Sequence, residues 1–329
     1  MRTIPHTFAA AAIFASFQVA ISVAASADSY PVRSITMIVP YPAGGPTDTI
    51  ARIMADPLKA ALGQSVIVET VTGAGGSIGT GRVARATPDG YTIGIGHNQT
   101  HVINAATQNL PYDVVRDFEP VTLLADTPVW IVARPGVPAK DTKEFVAWLK
   151  QMDGKATMGA VGRGGPGDIA AVFFQRQTST KFPFVPYRGG APLLQDLLGN
   201  QVDFTFGQAA TYLPYVRNGQ LKAFAVTMPK RWWAAPEVPT LDEDGIKGIY
   251  SSFWHGIWVP KGTPQPIIEA LNRAFKLTLA DDGVRQRFKD IGQEIFPVEQ
   301  QNPKALMEQQ RVEIERWWPI IKEAGIKSE

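Results

Sequence analysis

The chain has 329 residues, 32 Lys and Arg against 30 Asp and Glu, and no cysteine. A formal charge of +2 leaves no electrostatic footprint for nucleic acid. The missing thiols exclude disulfides, Cys nucleophiles and thiolate metal sites.

Residues 1–27 read as a secretory signal peptide. Arg2 supplies a basic start, the stretch 8–25 is apolar and Ala-rich, and Ala25-Ser26-Ala27 is an A-x-A processing site. The mature chain from Asp28 is then expected in the periplasm, with no further run long enough to span a bilayer. Its roughly 300 residues suffice for two domains held by their cores alone.

Apolar runs of strand length alternate with amphipathic stretches of helix length. Residues 34–39, 64–70 and 91–96 read as strands, separated by helices over 47–61 and 77–86. A β-α-β-α-β series argues for a parallel sheet flanked by helices, with its βα turns at the carboxyl edge. The middle third repeats this alternation, with strands at 129–133, 156–161, 182–187, 203–206 and 221–227, and helices at 142–152, 169–177, 191–198 and 209–218. After one more strand at 253–259 come helices over 266–280, 283–291 and 303–324. These pack most simply on the first sheet, so the chain crosses between two lobes twice. The expected architecture is α/β, a two-lobed periplasmic binding protein of type II-like plan. Each lobe is a mixed β-sheet flanked by helices, with a cleft between them. Residues 28–130 plus 253–329 form lobe 1 and residues 131–252 form lobe 2.

Two glycine-rich turns open helices in the first lobe. They are Tyr41-Pro42-Ala43-Gly44-Gly45-Pro46-Thr47-Asp48 and Gly73-Ala74-Gly75-Gly76-Ser77-Ile78-Gly79. Glycine permits positive φ and close backbone approach, and the free N–H groups of a helix start receive an anion. Asp48 fits a first-turn acid better than a ligand contact. His97, Asn98, Thr100 and His101 follow the third strand. The spacing of the two histidines lacks an acidic partner for a metal, so His97 and Asn98 are expected as polar ligand contacts, and neither metal nor cofactor is expected.

The ordered set Pro42-Ala43-Gly44-Gly45-x-x-Asp48, Gly73-Ala74-Gly75-Gly76-x-x-Gly79, Pro88-Asp89-Gly90-Tyr91-Thr92, Leu110-Pro111-Tyr112-Asp113, Asp117-Phe118, Tyr187-x-Gly189-Gly190 and Pro260-x-Gly262-Thr263-Pro264 resembles the Bug receptors. These are the extracytoplasmic solute receptors of tripartite tricarboxylate transporters. The resemblance covers essentially the whole mature chain. It implies a receptor that closes on a small organic carboxylate and delivers it to integral membrane subunits of an ion-driven transporter. It also implies that Ala43-Gly44-Gly45 and Gly75-Gly76 grip one carboxylate, partly through water, and that Thr100-His101 is the family's Thr-His pair. The chain departs from the pattern at Gly162-Arg163-Gly164, where many members have Ser-Gly-Ser. It also departs at Asp168, where many have His, and at His97 and His255.

On the second lobe, Arg163 on its glycine turn is the candidate for pairing bidentately with a second carboxylate, with Arg188 as its rival. Gly164, Tyr187 and Gln208 complete that wall, and Trp254 is placed on the cleft floor. An aliphatic dicarboxylate and an aromatic acid both fit these residues. The receptor is expected to act as a monomer. A sensor presenting its closed form to a membrane signalling partner is the alternative. An exported enzyme is disfavoured: the G-x-G-x-x-x-G spacing at Gly73–Gly79 is one residue off the dinucleotide fingerprint. No G-x-S-x-G, H-E-x-x-H or P-loop lysine occurs.

Overall fold

The computed structural model describes residues 30–161 and 164–327. The signal-peptide expectation and Arg163 therefore lie outside the described residues.

The elements in chain order are β1 (Ile35–Val39), α1 (Pro46–Leu62), β2 (Val66–Thr70), α2 (Ser77–Ala84), β3 (Thr92–His97), α3 (Asn104–Thr107), β4 (Phe118–Leu123), β5 (Ala125–Asp126) and β6 (Val129–Ala133). Then follow α4 (Thr142–Met152), β7 (Met158–Val161), α5 (Pro166–Thr178), β8 (Phe184–Tyr187), α6 (Gly190–Leu198), β9 (Phe204–Gln208), α7 (Ala209–Arg217) and β10 (Lys222–Val226). The chain ends with β11 (His255–Pro260), α8 (Gln265–Ala280), α9 (Asp282–Asp290), β12 (Glu294–Ile295) and α10 (Pro303–Ala324).

Two five-stranded sheets result, in the orders β2-β1-β3-β11-β4 and β10-β6-β9-β7-β8. In the first, β1 pairs in parallel with β2 and β3, while β11 runs antiparallel between β3 and β4. The second is parallel at β8-β7-β9 and antiparallel at β9-β6-β10. Both are mixed because the strand that follows each crossing enters against its neighbours. The β12-β5 pair is a separate two-stranded ribbon beside the crossing.

Each sheet has apolar layers on its faces. Ile35, Met37, Val39, Ile93, Ile95 and Ile257 of the first pack on Ile50, Met54 and Leu58 of α1 and on Leu271 and Phe275 of α8. Trp317 and Ile321 of α10 pack with Ile38 and Trp258 in another cluster, so the C-terminal helices do return to the first sheet. In the second sheet Phe145, Phe174, Phe204 and Phe224 form one layer, and Trp130, Leu193, Leu213 and Trp232 form the other.

The chain passes between the sheets at Leu124–Val129 and again at Ser251–His255. The two crossing segments run side by side. Phe253 N–H donates to Thr127 O at 2.8 Å, and Val129 N–H donates to Ser251 O at 3.2 Å. A single antiparallel bridge joins Pro128 and Ser252. Two extended segments thus form a narrow ribbon as the covalent link between the two units.

Candidate functional site

The βα turns of both sheets converge on one cavity of 210 Å³. Its first wall comes from the loop between β1 and α1, where Tyr41, Pro42, Ala43, Gly45, Pro46 and Thr47 line it. Its floor carries His97, Gln99 and Phe253. The second wall comes from the starts of α5, α6 and α7, with Asp168, Arg188, Gly189, Phe206, Gln208 and Thr211 among the contributors.

The two walls repeat one local design. On the first, Gly44-Gly45-Pro46-Thr47-Asp48 starts α1. Gly44 sits at φ +77°, Gly45 is an extended cap, Pro46 opens the helix, and the Gly44 N–H donates to Asp48 Oδ2 at 2.8 Å. On the second, Gly164-Gly165-Pro166-Gly167-Asp168 starts α5. Gly164 sits at φ +79°, Gly165 is the extended cap, and the Gly164 N–H donates to Asp168 Oδ2 at 3.0 Å. Positive φ at the first glycine requires its lack of Cβ. Proline pre-sets the first helical φ where no N–H is needed. The acid ties down the preceding turn, so the amides at the second and third helical positions keep no intrahelical acceptor. Two helix starts of this kind, one from each sheet, therefore present N–H groups and partial positive charge at the same cavity.

The other expected glycine turn lies elsewhere. Gly75 (φ +61°) and Gly76 (φ +91°) do not line the cavity. Asn104 Nδ2 donates to Gly75 O at 2.9 Å, and the Tyr41 hydroxyl points to the same oxygen at 3.4 Å. A methyl on Gly76 would meet Thr100 Cγ2 at 2.7 Å and the Tyr41 ring at 3.1 Å. This turn is packed behind Tyr41 and supports it. The Tyr41 ring, arriving from the first turn, covers Gly76.

The remaining expected residues divide the same way. Tyr41, Ala43, Gly45, Thr47, His97 and Gln208 meet at the cavity, while Gly44, exposed between Ala43 and Gly45, is not among the lining residues. Thr100 is fully buried, donating its hydroxyl to His97 O at 2.9 Å and receiving His97 N–H at 3.1 Å, so it finishes β3. Asn98 donates from Nδ2 to Ser252 O on the crossing segment at 2.5 Å. Gly164 turns away from the cavity and faces Thr107 across the gap, where a methyl would lie 3.1 Å from Thr107 Cγ2. Tyr187 donates its hydroxyl to Asp196 Oδ2 at 2.6 Å and holds α6 instead of the cavity. Trp254, placed on the floor by the sequence, is buried in the core at 6.1 Å from Trp258, and its neighbour Phe253 takes the floor position.

The lining is largely apolar: Pro42, Pro46, Val161, Pro192, Phe206 and Phe253 sit among few polar groups. Among the described residues that line it, Arg188 is the one Lys or Arg. Gln208 stands at the N-terminal cap position of α7 without a side-chain cap bond, and its Nε2 is buried without a hydrogen-bond partner. Behind Thr47, the Thr47 hydroxyl and His255 Nε2 lie 3.2 Å apart, and burial lowers His255 to about 4. Burial, with His255 adding, also pushes His97 well below the usual histidine range. The floor is therefore uncharged at neutral pH. Sequence reasoning missed Gln99, Phe253 and Thr211. The signal it passed over was the shared G-G-P-x-D, present at Gly44–Asp48 and again at Gly164–Asp168.

The units also touch at the rim. A methyl on Gly189 would lie 3.7 Å from Pro42 Cγ. Phe173 and Trp317 meet edge to face at 6.0 Å.

Residues 50–326 match the family described as tripartite tricarboxylate transporter family receptor. An Agrobacterium vitis protein, named for its place in the TAR-I ttuE-ttuC' intergenic region, is 38% identical over 92% of this chain and 88% of its own length. The solved periplasmic binding protein BugD is 37% identical, with a TM-score of 0.84 over 91% of this chain and 100% of its own. MatC from Rhodopseudomonas palustris, solved with bound malate, is 35% identical, with a TM-score of 0.83 over 89% of this chain and 100% of its own. With its two mixed sheets, its shared cavity and these matches, the chain belongs to the tripartite tricarboxylate transporter receptor family, of the Bug type, and has the periplasmic binding protein fold.

Proposed function

We propose that this protein is a periplasmic receptor that captures a small organic carboxylate by closing two lobes on it. The closed form is then presented to the integral membrane subunits of a tripartite transporter. The observation that carries the reading is the matched pair of glycine-capped helix starts on opposite walls of one cavity. An anion with a carboxylate at each end finds N–H donors at both. Arg188 adds a fixed positive charge on the second wall, and the apolar lining accommodates a carbon chain or a ring. The malate seen in MatC is a dicarboxylate of this description.

The lobes are the units built on the two sheets, divided at the crossing segments 124–129 and 251–255 and moving about the ribbon at Pro128 and Ser252. Tyr41, Ala43, Gly44, Gly45 and Thr47 contribute the first grip, His97 the floor, and Gln208 and Arg188 the second wall.

Calorimetry with malate, succinate, adipate, butyrate and benzoate tests this. Succinate is expected to bind at least about tenfold more tightly than butyrate, the difference of one charge-assisted hydrogen-bonding end. Arg188→Ala is expected to weaken a dicarboxylate by about 1.5–3 kcal/mol, roughly 10- to 150-fold, and butyrate much less. Equal losses for both would remove Arg188 from the second end. A protein indifferent to every acid in the panel would end the proposal.

A further inference from the structure

His97 sits at the carboxyl end of β3 and is 4% exposed. Three rings hold its plane. Tyr41 stacks on it with centroids 4.6 Å apart and planes 9° from parallel, and Phe253 and His255 meet it edge to face at 5.5 and 5.3 Å. One nitrogen has two neighbours of opposite character. Gln99 N–H donates to Nδ1 at 3.1 Å, and Asn98 Oδ1 lies 3.2 Å from the same atom. The Asn98 amide is oriented by its own Nδ2, which donates to Ser252 O. Nε2 bonds to none of the described residues, and the ring lines the cavity.

This arrangement serves two protonation states. In the neutral ring the proton rides on Nε2, and Nδ1 accepts from Gln99 N–H. In the cation Nδ1–H donates to Asn98 Oδ1, the Gln99 N–H gives up Nδ1 as its acceptor, and Nε2–H is left without a partner among the described residues. The acceptor for a second proton is therefore already in place. What the floor itself lacks is a negative charge to hold it.

We propose that His97 takes up a proton when a carboxylate enters the cavity, so that this chain captures its acid together with H⁺. The inference rests on the carboxylate reading above. The titratable and charged groups facing His97 agree with it. Tyr41, in the loop after β1, has its hydroxyl pushed well above its usual range by burial. His255 on β11 and His101 in the turn after β3 are held down to about 4 and about 3 by burial and stay neutral. Arg188 and Asp168 line the far wall, and Asp168 already receives the Gly164 N–H. Without ligand, burial and the neighbouring histidines disfavour the cation, while Asn98 favours it. A bound carboxylate reverses the balance by placing an opposite charge beside a desolvated ring.

The sign follows from linkage. His97 titrates higher in the complex than in the free protein, so affinity rises as pH falls between those two values. The gain is at most about tenfold per pH unit for one proton, and affinity is flat outside that window. Calorimetry of the full chain with malate, succinate, adipate and benzoate, at pH 5.5–8 in buffers of different ionisation heat, measures both affinity and protons bound. The expected result is net proton uptake by wild type with each acid that binds, and tightening toward low pH. His97→Gln, which keeps an N–H donor but cannot titrate, is expected to show neither beyond the ionisation of the acid itself. An imidazole NMR titration of wild type needs no variant, and four histidines make it tractable. At pH 6 the His97 signal is expected to move to its protonated position on adding acid. Binding with no proton uptake, or with the same pH slope in His97→Gln, overturns the proposal and leaves the carboxylate reading intact. No binding by any acid removes that reading and this proposal together.

Discussion

Tyr41 connects the site to the turn behind it. One face of its ring stacks on His97, and its hydroxyl lies over Gly75 and Gly76. Gly76 therefore answers two demands, a φ of +91° and contact with Thr100 and Tyr41. Gly76→Ala strains the backbone and crowds both neighbours, at about 1–3 kcal/mol. Its melting temperature is expected to fall by roughly 3–10 °C in a thermal scan. Gly44→Ala is a milder case. It has the same kind of φ, +77°, but no atom within 4 Å of the added methyl. About 1 kcal/mol of strain is expected there, with weaker acid binding as the first wall shifts. A Gly76→Ala protein as stable as wild type would contradict the packing of that turn.

At the scale of elements, most strands and helices were legible because their apolar periods are clean. The helices Thr142–Met152 and Pro303–Ala324 fall where the capping and apolar pattern place them. β4 was not legible, because Pro120 interrupts a short apolar run. The fold tolerates it because β4 is the sheet's edge, and its register with β11 shifts beside that proline. The two-residue strands β5 and β12 are too short to leave a period at all. At the site, the first turn and the residue pair His97 and Gln208 were readable from their places at strand ends. The covering of Gly75-Gly76 and the exchange of Trp254 for Phe253 were not, since both depend on rings arriving from distant parts of the chain. The start of α1 yields its own prediction. Asp48 is buried and holds both Gly44 N–H and Arg52 Nε. Asp48→Ala should cost about 1–2 kcal/mol and loosen the turn. Denaturant unfolding measures the first effect and calorimetry the second.

Across the whole molecule, three buried groups oppose one another in pH. His101 and His255 titrate at about 3 and about 4, against an ordinary 6.5, because burial excludes their cations. The unfolded chain binds those protons first, so their stabilisation is full above pH 6.5 and is lost as pH falls toward 4. Asp126, on the crossing segment, goes the other way. Burial raises it to about 7 from 3.8, with Glu313 and Glu294 adding, although the Ser252 hydroxyl and the Thr127 amide hold it down. Its contribution is full below pH 3.8 and is lost as pH rises toward 7. Asp126→Asn keeps the acceptor and removes the charge. Differential scanning calorimetry is expected to show a melting temperature a few degrees above wild type at pH 8, with the two converging near pH 4. A uniform shift at both pH values would mean that the carboxylate is not the cause.

The second sheet is threaded into the first: the chain leaves after β4 and returns at β11, and residues 30 and 327 both belong to the side with β1 and α10. Mechanical load applied at those two residues runs through the first sheet alone, while the inserted sheet hangs slack from its paired strands. Optical-tweezers extension from those points should therefore give two rips in a fixed order, with the host yielding first and the insertion unravelling only afterwards.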